Sequence, residues 1–325
     1  MRGLTWAGHA GKSDEMNRGF FQGFWAVFGA FVIWGLFPIY WHQLKQVPSM
    51  QIVAHRVVWC GLFVVGYLLL RHGAGWLREA LRRPRAPLML GTSSVLISIN
   101  WGLYIWAVNN GHVVESSLGY FINPLVNVLL GMLLLKEKLN GPQRLAVLCA
   151  GIGVAWLSWQ SGAPPWIALG LALSFGSYGL IRKVVAVEAI PGLGVESVFL
   201  FLPAVVYLVW THSQGLGAFG HLPLHLDLML VAGGGMTAVP LIWFAYGARR
   251  IPYSLVGIIQ YVGPTLQLLT GVFLFGEPFT GTQAIGFGLI WAALAIYAAD
   301  GLWRSRRRPA MPTAAPNAEL AKAEG

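Results

Sequence analysis

Charged side chains are the scarcest class in this chain. Asp, Glu, Lys and Arg make up 10% of its 325 residues, against 56% hydrophobic residues. A water-soluble domain carries roughly 25% charged residues. With so few, the chain cannot cover a surface with polar groups, and its natural solvent is lipid. Cysteine is nearly absent. Cys60 and Cys149 both lie in apolar runs and read as buried thiols, with no disulfide framework implied. Also missing are an H-E-x-x-H pair, a phosphate loop and a nucleophile elbow, so no enzyme chemistry or cofactor is expected. His221 and His225 stand four apart near His212, but no third or fourth metal ligand accompanies them. Residues 1–18 are polar, and no short apolar core with a small-residue cleavage site follows them.

What the chain has in quantity is long apolar runs. A spanning helix needs about 20 mostly apolar residues. Ten segments qualify: 20–40, 52–70, 88–108, 113–135, 144–160, 165–181, 195–211, 228–247, 252–275 and 283–300. The formal net charge of +10 is distributed between them. Twenty of the 22 Lys and Arg fall in segments on one side of this alternation, leaving only Lys45 opposite and Arg56 inside a span. Positive charge is retained on the cytoplasmic side during insertion. Both termini are therefore expected in the cytoplasm, and the loop from His212 to His225 outside. Such dispersed basic clusters do not describe a nucleic-acid surface.

The second half echoes the first. At an offset of 140, Pro124 falls on Pro264, Gly131 on Gly271, Glu137 on Glu277, Gly141 on Gly281 and Gln143 on Gln283. At 141, Trp25 falls on Trp166, Gly29 on Gly170 and Gly35 on Gly176. With five spans per half the repeats enter the bilayer from opposite sides, a recurring plan of secondary transporters. The predicted fold is an all-α polytopic membrane protein of ten transmembrane helices in two inverted five-helix repeats. Its parts are a cytoplasmic segment at 1–18, repeats at 19–160 and 161–301, and a disordered cytoplasmic tail at 302–325. Glycines such as Gly29, Gly35, Gly151, Gly153, Gly170, Gly176, Gly286 and Gly288 predict close helix packing. Trp41, Trp159, Trp166 and Trp303 fall at span ends, where an interfacial belt is expected. Trp34, Trp101, Trp106 and Trp243 fall deeper and are candidates for cavity walls.

Polar groups inside hydrocarbon are costly and mark a pathway or a structural pair. In "GYFINPLVN" (Gly119 to Asn127), Pro124 frees the carbonyl of Tyr120, and Asn123 and Asn127 add amides one turn apart. In "IQYVGPTLQ" (Ile259 to Gln267), Pro264 frees the carbonyl of Gln260, and Gln267 stands where Asn127 does. Two kinked helices would thus present Tyr120, Asn123, Asn127, Gln260, Tyr261 and Gln267 at one depth as a substrate site. The alternative is that these amides only re-satisfy a kinked backbone. A second set, His55, Arg56, Glu115 and Glu196, is expected near the two mouths as gates, ion-coupling groups or static pairs. Arg56 and Glu115 stand at matching depth as a candidate pair, and Glu196 is the repeat equivalent of His55. Glu137 and Glu277 end matching helices and read as structural groups that cap them or pair with Lys136, Lys138 or nearby loops.

"NWGLYIWAVNNGHVVESSLGYFINPLVNVLLGMLLLKEKL" (Asn100 to Leu139), "AHR" (Ala54 to Arg56), "LALSFGSYGLIRKVVAVEA" (Leu171 to Ala189) and "QYVGPTL" (Gln260 to Leu266) resemble RarD proteins, EamA-type members of the drug/metabolite transporters. The resemblance runs from about Gly19 to Gly301. It implies a ten-helix inner-membrane carrier of a small-molecule substrate, with an association to chloramphenicol sensitivity. A homodimer stays open. Two other classes compete: a membrane-embedded lipid-modifying enzyme, which needs a nucleophile or metal constellation facing one leaflet, and a non-transporting sensor or scaffold, which needs no matched polar groups at mid-depth.

Overall fold

Hydrocarbon offers the backbone no hydrogen-bond partners, so a spanning chain must satisfy its own amides. The computed structural model describes residues 7–307 except 135, 137, 186, 249, 252–254 and 257–258. Among them all regular structure is helical: α1 (Ala7–His42), α2 (Ser49–His72), α3 (Gly75–Leu81), α4 (Ala86–Asn109), α5 (Val113–Leu134), α6 (Gly141–Ser161), α7 (Trp166–Val184), α8 (Ala189–Ser213), α9 (Leu224–Ala248), α10 (Val262–Leu269, continued by a π turn at Thr270–Leu274) and α11 (Gly281–Arg307). Each of the ten expected intervals contains helix. Among the described residues seven helices are long and apolar enough to cross a membrane: α1 from Arg18, α2, α4, α5, α8, α9 and α11. Trp166–Arg182 and Val262–Leu274 form shorter apolar helices. α6, with Gln143, Arg144, Ser158 and Gln160, is more polar.

Several helix ends are locally encoded. Asn140 caps α6: its Oδ1 accepts the Gln143 N–H at 2.7 Å, and the Gln143 side chain accepts the Asn140 N–H at 3.2 Å. Thr280 and Gln283 repeat this box at the start of α11, at 3.3 and 2.9 Å. Such reciprocal capping satisfies two of the donors that a helix start leaves open. Glu277, expected as a cap, receives the Val113 and Val114 N–H groups on its two carboxylate oxygens, each at 2.7 Å. It therefore seals the start of α5. Its counterpart Glu137, and the tail at 308–325, lie outside the described residues.

The helices pack in pairs. α6 lies on α11, α5 on α7, α2 on α8 and α9, α1 on α9 and α10, α4 on α7 and α8, and α10 on α5. Glycine makes several of these approaches close. A Cβ on Gly35 would stand 2.7 Å from Leu266 Cβ and 3.0 Å from the Gly263 carbonyl oxygen. On Gly176 it would meet Val126 at 3.0 Å and Asn127 Oδ1 at 3.2 Å. Gly153 lies against the Gly286 carbonyl in the same way, whereas Gly151 and Gly288 face open space. The periphery is apolar. Leu70, Trp159 and Phe273 are 90%, 83% and 80% exposed, as suits a lipid-facing surface.

Four expectations change. The loop after α2 contains α3, whose Trp76 and Ala80 are buried where it packs on α8. The Trp–Ala spacing of four carried that signal. Trp41 is a core residue, 1% exposed, because α1 turns it inward against Gly233 of α9 and the Arg56 guanidinium of α2; it is not a belt residue. Pro264 lies in the first turn of α10, after a break at Gln260 and Tyr261. There its missing N–H costs no helical bond, so the site is a helix start and not a mid-span kink. α11 also runs on to Arg307, into the stretch expected as tail.

These contacts fix an expected outcome. Gly35→Val should lower the thermal stability of the detergent-purified protein by roughly 1–3 kcal/mol through overpacking. Gly151→Ala, which meets nothing, should be neutral or stabilising by up to about 1 kcal/mol. Equal effects in a melting experiment would contradict close packing at Gly35.

Candidate functional site

The second helix carries a cation into the core. Arg56 is 4% exposed. Its Nε–H donates to Thr237 Oγ1 on α9 at 2.7 Å, and that hydroxyl donates to the Gly233 carbonyl at 2.9 Å. The guanidinium carbon stands 4.1 Å from the ring centre of Trp101 on α4, 5.3 Å from Trp41 and 5.6 Å from Phe37 on α1. Each such contact contributes about 0.5–2 kcal/mol. Desolvating an ion costs several kcal/mol. Among the described residues Arg56 has no carboxylate partner, and its Nη1 has no hydrogen-bond acceptor.

The expected Arg56–Glu115 pair is therefore not formed. Glu115 Oε1 accepts the Ile167 N–H at 3.1 Å. Its carboxylate is held by the start of α7, where exposed N–H groups and the helix dipole favour negative charge. Matching depth did not produce contact because α5 packs on α7 and leaves Glu115 on that side. His55, 6% exposed, lies tilted against Phe219 of the loop between α8 and α9, with ring centres 5.1 Å apart. Gln51 ties the same loop down, donating to the Leu216 carbonyl at 2.8 Å and accepting the Ala218 N–H at 2.9 Å.

Glu196 is 1% exposed and well supplied with donors. Ser93 donates to Oε1 at 2.6 Å and Tyr178 to Oε2 at 3.4 Å, and Arg182 Nε lies 3.8 Å away. This network joins α4, α7 and α8. A narrow cavity lined by Val57, Cys60, Trp101 and Glu196 lies between it and the Arg56 cluster.

The six residues expected at mid-depth divide between two surroundings. Tyr120 belongs with the Arg56 group. Its ring meets Tyr104 edge-on at 5.7 Å, and its hydroxyl approaches Asn100 Oδ1 at 3.5 Å. Tyr261 packs instead in the cluster of Phe121, Ile122 and Leu125, so the two tyrosines do not share one wall. Asn123 is 8% exposed, and its Oδ1 has no partner among the described residues. Asn127 is exposed beside Gly176 of α7. Gln267 is buried and donates to the Trp34 carbonyl of α1 at 3.2 Å, leaving Oε1 without a partner. Asn127 and Gln267 thus turn to different helices, while Gln260 is half-buried at the break before α10.

Known proteins place this arrangement. The EamA-like transporter family matches residues 21–159. An uncharacterized transporter of Pseudomonas aeruginosa is 47% identical over 87% of this chain and 95% of its own length. Protein RarD of Escherichia coli is 42% identical over 88% of this chain and 97% of its own. The chain belongs to the EamA-like transporter family, among its RarD-type members. A crystal structure covering 85% of the chain, at 20% identity and a TM-score of 0.56, shares the fold. An EamA-like chain is a multi-pass membrane transporter. In this one, the most deeply buried charged side chains among the described residues are Glu196 and Arg56.

Sequence reading missed Asn100, Tyr104, Tyr178 and Thr237. Asn100 donates to the Leu171 carbonyl and to Ser174 Oγ, both at 3.0 Å. Each is a polar group inside a span, the same signal that marked Asn123. Tyr104 and Tyr178 were passed over because tyrosine also suits plain packing.

With no shared partner, Arg56 and Glu115 should act independently. Their stability losses in Arg56→Gln, Glu115→Gln and the double variant should add within about 0.5 kcal/mol. A strongly non-additive cycle, read by thermal melting, would restore the direct pair.

Proposed function

We propose that this protein is an inner-membrane carrier of small metabolites or drugs that works by alternating access between two inverted halves of five spans each, with both termini in the cytoplasm. The observation that carries this reading is the exchange symmetry of the packing. Number the ten helices in the expected intervals, setting α3 aside, and shift each by five. The α5–α7 pair becomes α10–α1, α4–α7 becomes α1–α9, and α4–α8 becomes α2–α9, while α2–α8 and α6–α11 map onto themselves. The central α5–α10 contact also maps onto itself, so every named pair has its image. Gly176 against Val126 and Gly35 against Leu266 stand at equivalent places, and so do the Asn140 and Thr280 capping boxes.

In this reading α5 and α10 bound the substrate path. Tyr120, Asn123, Asn127, Gln260, Tyr261 and Gln267 supply polar groups along it. The Glu196 network holds the cytoplasmic end, and the loop tied down by Gln51 covers His55 at the outer end. The reading is carriage and not catalysis, in keeping with the relative named as a transporter. Chloramphenicol belongs among the first compounds to test.

Two measurements check it. In cells, on a background without Cys149, an impermeant thiol reagent should label Gln214→Cys and spare Arg83→Cys. Labelling of both, or the reverse pattern, ends the inverted arrangement. In proteoliposomes, a compound taken up by the wild type should lose about 10-fold in apparent affinity with Asn127→Leu or Gln267→Leu, the scale of one hydrogen bond. If both variants transport normally, those amides only satisfy backbone.

A further inference from the structure

The proposed carrier leaves its substrate class open, and the unpartnered groups around Arg56 narrow it. Buried polar atoms are normally hydrogen-bonded, and a buried charge is normally paired. Two donors in one neighbourhood break this pattern. Arg56 Nη1 has no acceptor, and Tyr104, 2% exposed, has none for its hydroxyl. The two side chains lie within electrostatic reach of each other. Among the described residues the surrounding shell is aromatic and uncharged: Trp101, Trp41 and Phe37 around the guanidinium, the Cys60 thiol nearby, and Tyr120 against Tyr104. No carboxylate among the described residues reaches Arg56.

We propose that Arg56 and Tyr104 recognise the carboxylate of a small organic anion with an apolar or aromatic body, and that this is the class of molecule the site accepts. The guanidinium is held for such a role. Thr237 fixes Nε, and the Trp101 ring centre stands 4.1 Å from the guanidinium carbon, so the head group and its unpartnered Nη1 are held in place. A carboxylate accepts from such a fork with charge-assisted bonds and takes a further bond from the phenol. The donors are too few for a doubly charged phosphate, and a cationic or neutral molecule would leave the buried charge uncompensated. The aromatic surroundings favour an apolar body over a sugar. This inference rests on the carrier reading for its meaning, but binding itself needs no gradient.

The test uses full-length protein purified in detergent, with phenylacetate, neutral phenylacetamide, cationic phenethylamine and chloride as probes. A ligand that binds only the folded state raises the melting temperature by mass action. Phenylacetate should raise it in a saturable way, and the other three should not. Arg56→Gln should abolish the shift, and Tyr104→Phe should weaken binding roughly 10-fold, the scale of a hydrogen bond to a charged group. Should Arg56→Gln fail to fold, Arg56→Lys keeps the charge but loses the fork, and should still weaken phenylacetate binding. Equal shifts from phenylacetate and phenylacetamide overturn the proposal. So do a chloride shift matching that of phenylacetate, no phenylacetate shift at all, and unchanged binding in both Tyr104→Phe and the Arg56 variant. Carboxylate-selective binding without flux in proteoliposomes would instead sink the carrier reading and leave this site standing.

Discussion

Hydrocarbon cannot hydrogen-bond, and this constraint organises the whole molecule. It forces every described regular element to be helical. It also makes each helix start a liability, because the first N–H groups of a helix have no partner within it. The chain answers with side chains from elsewhere in the sequence. Glu277, just beyond the π turn that ends the α10 segment, seals α5, and Glu115 within α5 holds the start of α7. These carboxylates connect one helix to the next, so each fixes position as well as solvation. Glu115 therefore has a structural duty that a reading based on charge pairing assigned to Arg56.

The same constraint ranks the buried charges. Glu196 is supplied with hydroxyl donors and a nearby guanidinium, so its cost of burial is largely offset within the fold. Arg56 receives one hydroxyl and three aromatic faces, which offset less than a counter-charge would. Between these clusters lies a narrow cavity. A chain of α2, α4, α7, α8 and α9 thus joins two charged sites through aromatic and small residues. Relative motion of these helices would alter both together.

Without a hydrophobic force between helices, association depends on close contact. Gly35, Gly153 and Gly176 provide it where a methyl group would collide with backbone or branched side chains. That two of these lie at equivalent repeat positions means the same interface is used twice, once between α1 and α10 and once between α5 and α7.

The sequence alone determined the class of the molecule. Low charge, long apolar runs and clustered Arg were enough to specify a helical membrane protein, and the motifs around Asn100 to Leu139 were enough to place it among RarD-type chains. It also marked which spans hold unusual groups, because a polar residue in an apolar run stands out whatever its partner. The Asn140–Gln143 cap acts within four residues of chain, a local signal that the sequence reading used only as a repeat match at Gln143. What only the tertiary structure decided was partnership. Depth along a span can be counted from a sequence, but rotation about the helix axis and the neighbour on that side cannot. Arg56 and Glu115 share a depth and face different helices, and Trp41 sits at a span end yet turns inward. Asn127 and Gln267 are repeat equivalents turned to α7 and α1. Side-chain contact in lipid is set by which helices lie together, and that choice is made by the packing of the whole bundle.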